Sequence, residues 1–309
     1  MEQRRNYSEE LVGAIKKELD NAELGDELCV VVTGSFGRNE ASSESDMDWF
    51  IFADKVFTDD EKQAYLDKVT EVVNNRVAKN AGSTGTFESI VTRNDMLENY
   101  GGDKETNQAF TRRMLYLLES KCLYNDSLYE SLKREILEKY IKESVSDHNL
   151  NRFMLNDIIR YYRTICTDYE YKVNEDGKSW GVRKIKLRFS RKLLYFSGLI
   201  AVASTCSLSR KEKIERTLEY LALTPIDRIV RIIGQNQSEK MLAHYSMFLN
   251  EISDEKVRES LDKISRETRH DIEDYRRLKN LSQHFNWELE KCFLNEFPQS
   301  HPIHAALVF

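Results

Sequence analysis

The chain has 309 residues, 40% hydrophobic and 32% charged, with a formal net charge of -6. That length and apolar content supply cores for one large or two ordinary domains, which excludes a disordered chain. The acidic balance argues against broad nucleic-acid binding, and no apolar run approaches the about eighteen residues of a membrane-spanning helix.

In chain order, apolar residues at spacings of three and four predict a helix near 8–21. Leu28, Cys29, Val30, Val31 and Val32 then form a continuous apolar run that reads as a buried strand, broken at Gly34 where a tight turn is needed. A strand near 47–53, a helix near 59–77 and a strand near 85–91 follow, giving a small mixed sheet. Glycines are concentrated before residue 105 and near 177–198, and the only prolines are Pro225, Pro298 and Pro302. Helical periodicity accordingly takes over, at 107–123, 127–143, 148–171, 181–203 and 211–222, with further segments between 226 and 293. The expected class is α+β, with a small mixed-sheet domain over 1–105 and an all-α bundle over 106–309 that completes a shared cleft. Neither an internal repeat nor a low-complexity linker separates the two.

Chemistry concentrates between the first two strands. In Thr33-Gly34-Ser35-Phe36-Gly37-Arg38-Asn39-Glu40, the glycines let backbone approach a phosphate closely. A helical turn opening after Ser35 would add unpaired N–H groups, a partial positive charge and a hydroxyl donor. Ten residues further on, Asp46-Met47-Asp48 leads into Trp49, Phe50, Ile51 and Phe52. Period-two alternation puts both carboxylates on one face, where a cation between them would offset their repulsion. Hard oxygen donors beside phosphates suit Mg²⁺, with Mn²⁺ as its substitute. An ordinary glycine turn beside two solvated aspartates is the plainer alternative. Trp49 and Phe50 are expected to be core.

Gly34-Ser35, a ten-residue gap and then Asp46-Met47-Asp48 between apolar residues resembles the signature of the polymerase-β-like nucleotidyltransferase superfamily. The fuller string Gly34-Ser35-Phe36-Gly37-Arg38-Asn39-Glu40 is similar to the branch related to the PII-protein uridylyltransferases and their stand-alone relatives. The resemblance implies catalytic, metal-holding carboxylates at Asp46 and Asp48, and triphosphate contacts from Gly34, Ser35 and Arg38. It also implies a third carboxylate from a later strand. Glu88, in Thr86-Phe87-Glu88-Ser89-Ile90-Val91, is the best-placed candidate; a solvated strand residue is the alternative, and Asp95 and Asp103 are rivals in loops.

Further along, Tyr100-Gly101-Gly102 reads as a hinge or a border of the acceptor site or, more plainly, as the turn into a helix for which Thr106 or Asn107 is the expected cap. The stretch 183–192 carries six basic residues in ten. Helical projection places Val182, Ile185, Phe189, Leu193 and Phe196 on one buried stripe, with Arg183, Lys186 and Ser190 along one flank. The resemblance implies a helical-domain lysine and serine on the triphosphate, for which Lys186 and Ser190 are the candidates. Lys184, Arg188 and Arg191 are expected on the solvated side. Asp157 and Arg160, three apart, read as an ion pair or ligand contacts, and Tyr161 or Tyr162 as core or a base-stacking ring.

Other chemistries lack support. The five cysteines are scattered and the six histidines dispersed, with no zinc spacing. There is neither a Gly-x-Ser-x-Gly elbow nor a Gly-x-x-x-x-Gly-Lys-Ser/Thr loop. Met1-Glu2-Gln3-Arg4-Arg5-Asn6 lacks a signal peptide's apolar stretch, so a cytoplasmic protein with reduced thiols and no membrane partner is expected. The expected activity is Mg²⁺-dependent transfer of an NMP from an NTP substrate to an acceptor hydroxyl, with pyrophosphate released. Protein, small molecule, RNA and nucleotide all stand as acceptors, and oligomeric state is not legible. An inactive NTP-binding regulator on the same fold, and a toxin or defence enzyme modifying tRNA or making a nucleotide signal, are the alternatives.

Overall fold

The computed structural model describes residues 1–77, 88–142, 147–174 and 179–308, with only the backbone of Lys172 and Asn174. Residues 85–87 of the expected third strand lie outside that set. The class is α+β, and the chain divides into two compact units, Met1–Lys142 and Glu143–Phe309.

The first unit is organised by β1 (Leu28–Val32), which is apolar throughout and therefore sits in the middle of the sheet. It pairs antiparallel with β2 (Trp49–Ala53), Val32 opposite Trp49 and Leu28 opposite Ala53. On its other side it pairs antiparallel with β4 (Lys121–Tyr124), with a register shift between Val30 and Val31. A short β3 (Ile90–Thr92) joins β2 in parallel, Ile51 opposite Ile90, for an order of β3-β2-β1-β4.

Both faces of β1 and β2 are covered, which is why their residues are buried without alternation. On one face Leu28, Val30, Val32, Met47, Trp49 and Ile51 pack with Ile15 and Leu19 of α1 (Glu2–Asn21) and Val69 and Val73 of α3 (Asp59–Asn74). On the other, Phe50 lies 6.5 Å, ring to ring, from Tyr116 of α5 (Asn107–Glu119). Between β1 and β2 the chain makes a single helical turn, α2 (Gly34–Gly37). A capping box of Thr58 and Glu61 starts α3, and a similar one of Thr92 and Asp95 starts α4 (Arg93–Leu97). Thr106 caps α5, as expected.

One strand was not expected. Residues 107–123 read as a single helix, whereas the helix ends at Glu119, Ser120 turns extended, and Lys121–Tyr124 adds the fourth strand. Lys121-Cys122-Leu123-Tyr124 shows no polar and apolar alternation, and only pairing with β1, about ninety residues earlier, identifies them as a strand. Asn125 then takes a left-handed conformation (φ 64°) and caps α6 (Asp126–Tyr140). The first unit consequently runs to Lys142, past the expected boundary at 105, because its sheet is incomplete without β4.

Among the described residues the second unit consists of helices and the turns that join them, with no strand. Its described helices are α7 (Arg152–Asn174), α8 (Trp180–Lys186), α9 (Lys192–Ser204), α10 (Arg210–Ala222), α11 (Pro225–Ile233), α12 (Gln235–Glu251), α13 (Glu255–Asp262), α14 (Glu273–Glu296) and α15 (Pro302–Val308). A π-helical turn, Leu187–Arg191, joins α8 to α9 into one continuous path. The stripe Val182, Ile185, Phe189, Leu193 and Phe196 is buried as projected, with Phe189 stacked 4.4 Å from Phe248 of α12. The opposite flank differs from expectation. Lys184 lies over Tyr169 of α7 and Arg188 reaches Ser282 of α14, because neighbouring helices cover a side that projection alone leaves to solvent. Among the described residues no helix is long and apolar enough to cross a membrane.

Candidate active site

The β1-to-β2 connection brings the two sequence signals into contact. Beyond Val32 the ladder continues for one more pair, the Thr33 N–H donating to the Asp48 carbonyl at 2.8 Å. That bond sets Asp48 beside the first residue of the turn. Gly34 has a φ of +66°, and a Cβ there would lie 2.8 Å from Asp48 Oδ2. A side chain at Gly34 is thus excluded twice, by backbone conformation and by the carboxylate packed against its Cα.

The aspartates precede the strand itself but keep its alternation. Met47 and Trp49 point into the core with exposures of 0% and 1%, leaving Asp46 exposed and Asp48 half-buried on the other face. Ser35 is half-buried in the turn, and the turn's early N–H groups have no partner within it by helix geometry. Mg²⁺ commonly takes one or two protein carboxylates and completes its shell with phosphate oxygens and water. Asp46 and Asp48 are donors of that kind.

Glu88 sits one strand over. Its N–H donates to the Trp49 carbonyl at 2.8 Å, placing its backbone beside the residue that follows Asp48. The side chain is exposed and the φ is +51°, a left-handed conformation that costs a non-glycine residue about 1–2 kcal/mol. Among the described residues no three His, Cys, Asp or Glu are grouped closely enough to hold an ion. What the geometry assembles is the Asp46–Asp48 pair, with the Glu88 backbone alongside. Of the rivals, Asp95 is used in capping α4.

Arg38 departs from expectation. It was expected at the triphosphate, but it is 8% exposed; its Nε donates to Glu40 Oε2 at 2.7 Å, and its Nη1 bonds Glu119 at the end of α5. Three charged groups in so dry a place require mutual pairing, so the Gly-Arg-Asn-Glu string clamps the turn from behind. Gly37 takes part, since a Cβ there would lie 2.0 Å from the Glu119 carbonyl oxygen. Asn39, left-handed at φ 60°, donates to Glu9 at 2.8 Å and accepts from Lys121, and the Ala41 N–H reaches Ser8 Oγ at 3.1 Å. The loop from Gly34 to Ala41 is therefore held by α1, α5 and β4 at once, as a preorganised site requires.

Two residues in this neighbourhood escaped sequence reading. Glu119 is 81 positions from Arg38, and nothing local marks it as a partner. Arg112, 8% exposed on α5, donates to Ser89 Oγ at 2.8 Å beside Glu88, and burial lowers its pKa. Lys186 and Ser190 both belong to the second unit. Lys186 is exposed, whereas Ser190 is buried and accepts a hydrogen bond from Tyr245 at 3.3 Å. Asp157 and Arg160 do form an ion pair, at 3.3 Å, and the Tyr162 ring stacks on Tyr195 at 4.8 Å.

Residues 4–98 match the family described as "Putative nucleotidyltransferase DUF294". That span takes in most of α1, the whole Gly34–Asp48 connection and Glu88, and it supports the polymerase-β-like nucleotidyltransferase superfamily for this part of the chain. No curated protein and no solved structure matches the chain.

Proposed function

We propose that this chain, with a nucleotidyltransferase-family segment at its N-terminal end, moves an NMP group from an NTP to an acceptor hydroxyl and releases pyrophosphate. The observation that carries the reading is the contact of Asp48 with Gly34, which joins a phosphate turn to a carboxylate pair in one place. Asp46 and Asp48 would hold Mg²⁺ or Mn²⁺, with the exposed Glu88 side chain joining them only by turning toward the pair, and the ion when bound would polarise the α-phosphate and offset the charge of the leaving pyrophosphate.

The turn at Gly34, with the Ser35 hydroxyl, orients the triphosphate through N–H and O–H donors. The acceptor oxygen attacks the α-phosphorus in line, and the bond to the bridging β-oxygen breaks, pyrophosphate leaving with its electron pair. The hydroxyl proton passes to a site carboxylate or to water. Behind the turn, the Arg38–Glu40–Glu119 clamp keeps these donors from relaxing away. The Glu88 N–H bonded to the Trp49 carbonyl, one residue past Asp48, supports its inclusion in the site.

Pyrophosphate release from each NTP with Mg²⁺ or Mn²⁺ tests the reading, using wild type and Asp46→Ala/Asp48→Ala with protein, small-molecule, RNA and nucleotide acceptors. Tight NTP binding without turnover on any of them would leave the non-catalytic NTP-binding alternative. Labelled-NTP incorporation into RNA or a soluble nucleotide would bring forward the defence-enzyme reading.

A further inference from the structure

The helical unit holds a second concentration of charge that the transfer reaction does not use. Lys184, Arg188 and Lys192 are spaced by four along the path from α8 through the π turn to α9, so they are neighbours on one flank. All three are half-buried. The Lys184 ammonium lies 4.9 Å from the Tyr169 ring centre on α7, and Lys192 Nζ donates to Asn286 Oδ1 on α14 at 2.7 Å. Between them, Arg188 Nη1 donates to Ser282 Oγ at 3.3 Å, while its Nε is buried with no hydrogen-bond partner.

Among the described residues none of the three pairs with a carboxylate. The acid that acts on Lys184, Glu170, is bonded to Arg266 at 2.6 Å. The surrounding helices thus offer hydroxyls, a thiol, an amide and rings, with Glu170 and Cys166 offsetting only part of the positive charge and no carboxylate bonded to it among the described residues. Its cost is visible in both lysines, whose pKa values are lowered by burial and then by the Arg188 charge. A π turn is itself a departure from helix geometry that recurs at functional sites, and this one carries Arg188.

We propose that Lys184, Arg188 and Lys192 form a binding site for a small phosphate-bearing anion within the helical unit, flanked by Tyr169, Ser282 and Asn286. A guanidinium with a spare N–H between two ammonium groups matches the several oxygens and multiple charge of a phosphate. The site goes beyond the transfer reaction and does not rest on it.

Calorimetric titration of the full chain with inorganic pyrophosphate, in EDTA so that no divalent ion loads Asp46 and Asp48, tests this directly. Wild type, Asp46→Ala/Asp48→Ala and the surface control Lys263→Gln should bind alike. Arg188→Gln should weaken binding by about 10- to 100-fold, the worth of a hydrogen bond to a charged group. Lys184→Gln/Lys192→Gln gives an independent reading with Arg188 intact. Melting without ligand separates a binding role from a structural one. Removing a charge from a repelling cluster should leave the Arg188→Gln melting temperature unchanged or higher, and a structural arginine would lower it. A parallel titration with nucleoside monophosphates against inorganic phosphate identifies the source, tighter nucleotide binding meaning a nucleotide and equal binding a free phosphate. Undiminished binding in Arg188→Gln, loss of binding in Asp46→Ala/Asp48→Ala, or no wild-type binding at millimolar pyrophosphate would each overturn the proposal.

Discussion

Gly34→Ala isolates the contact on which the candidate site rests. The substitution forces alanine into φ +66°, at a cost of about 1–2 kcal/mol for the left-handed backbone. The new Cβ also falls 2.8 Å from Asp48 Oδ2, so the carboxylate must retreat by about 0.6 Å to reach ordinary contact near 3.4 Å. Misplacing a reacting group by an ångström costs on the order of 100-fold, so turnover should fall by about 10- to 100-fold. Gly25→Ala supplies the control. It has the same left-handed requirement, at φ +86°, with nothing within 4 Å of the added Cβ. Both variants should melt lower by about 2–8 °C, and only Gly34→Ala should lose pyrophosphate release and metal-dependent NTP binding. Equal turnover in the two folded variants would refute the role assigned to the Gly34–Asp48 contact.

Three further outcomes follow from the geometry. Arg38→Ala removes the guanidinium that Glu40 and Glu119 share in a dry environment and should destabilise the chain by about 3–5 kcal/mol in urea unfolding, whereas Lys62→Ala, at an exposed pair, should do nothing measurable. Loss of turnover without loss of stability in Arg38→Ala would return that residue to the triphosphate. Glu88→Gly removes a left-handed side chain, so it should raise stability by up to about 1 kcal/mol while lowering turnover; unchanged turnover would take Glu88 out of the site. Burial pushes the Tyr162 hydroxyl up to about 12 from its ordinary 10. The unfolded chain therefore loses that proton first, and stability present below pH 10 should drain between pH 10 and 12. Tyr162→Phe should flatten that fall in urea midpoints, and superimposable profiles would show that Tyr162 is not its source.

Local signals in the chain carried the parts of this structure that depend on neighbours in sequence. The run Leu28–Val32 becomes β1, the Met47/Trp49 alternation turns Asp46 and Asp48 outward, and the stripe from Val182 to Phe196 is buried in the helical unit. Position in sequence could not show β4, whose identity comes from pairing with β1, nor the domain edge that β4 moves to Lys142. It also could not show that the flank of Lys184 and Arg188 is covered, since projecting a helix describes one helix and not the two that close over it.

Arg38 illustrates why a contiguous motif need not be a contiguous function. In the string from Gly34 to Glu40 every residue looks equally close to a phosphate, yet its members have different partners. Gly34 lies against the Asp48 carboxylate, where a side chain is excluded. Gly37 and Arg38 are both set against Glu119, one at its carbonyl and the other at its carboxylate. A single helical turn has too few internal bonds to hold its own shape against a charged ligand. The Arg38 ion pairs hold the turn from outside, so on the proposed reading substitutions at Gly37 and Arg38 should act through stability, and those at Gly34 through its contact with Asp48.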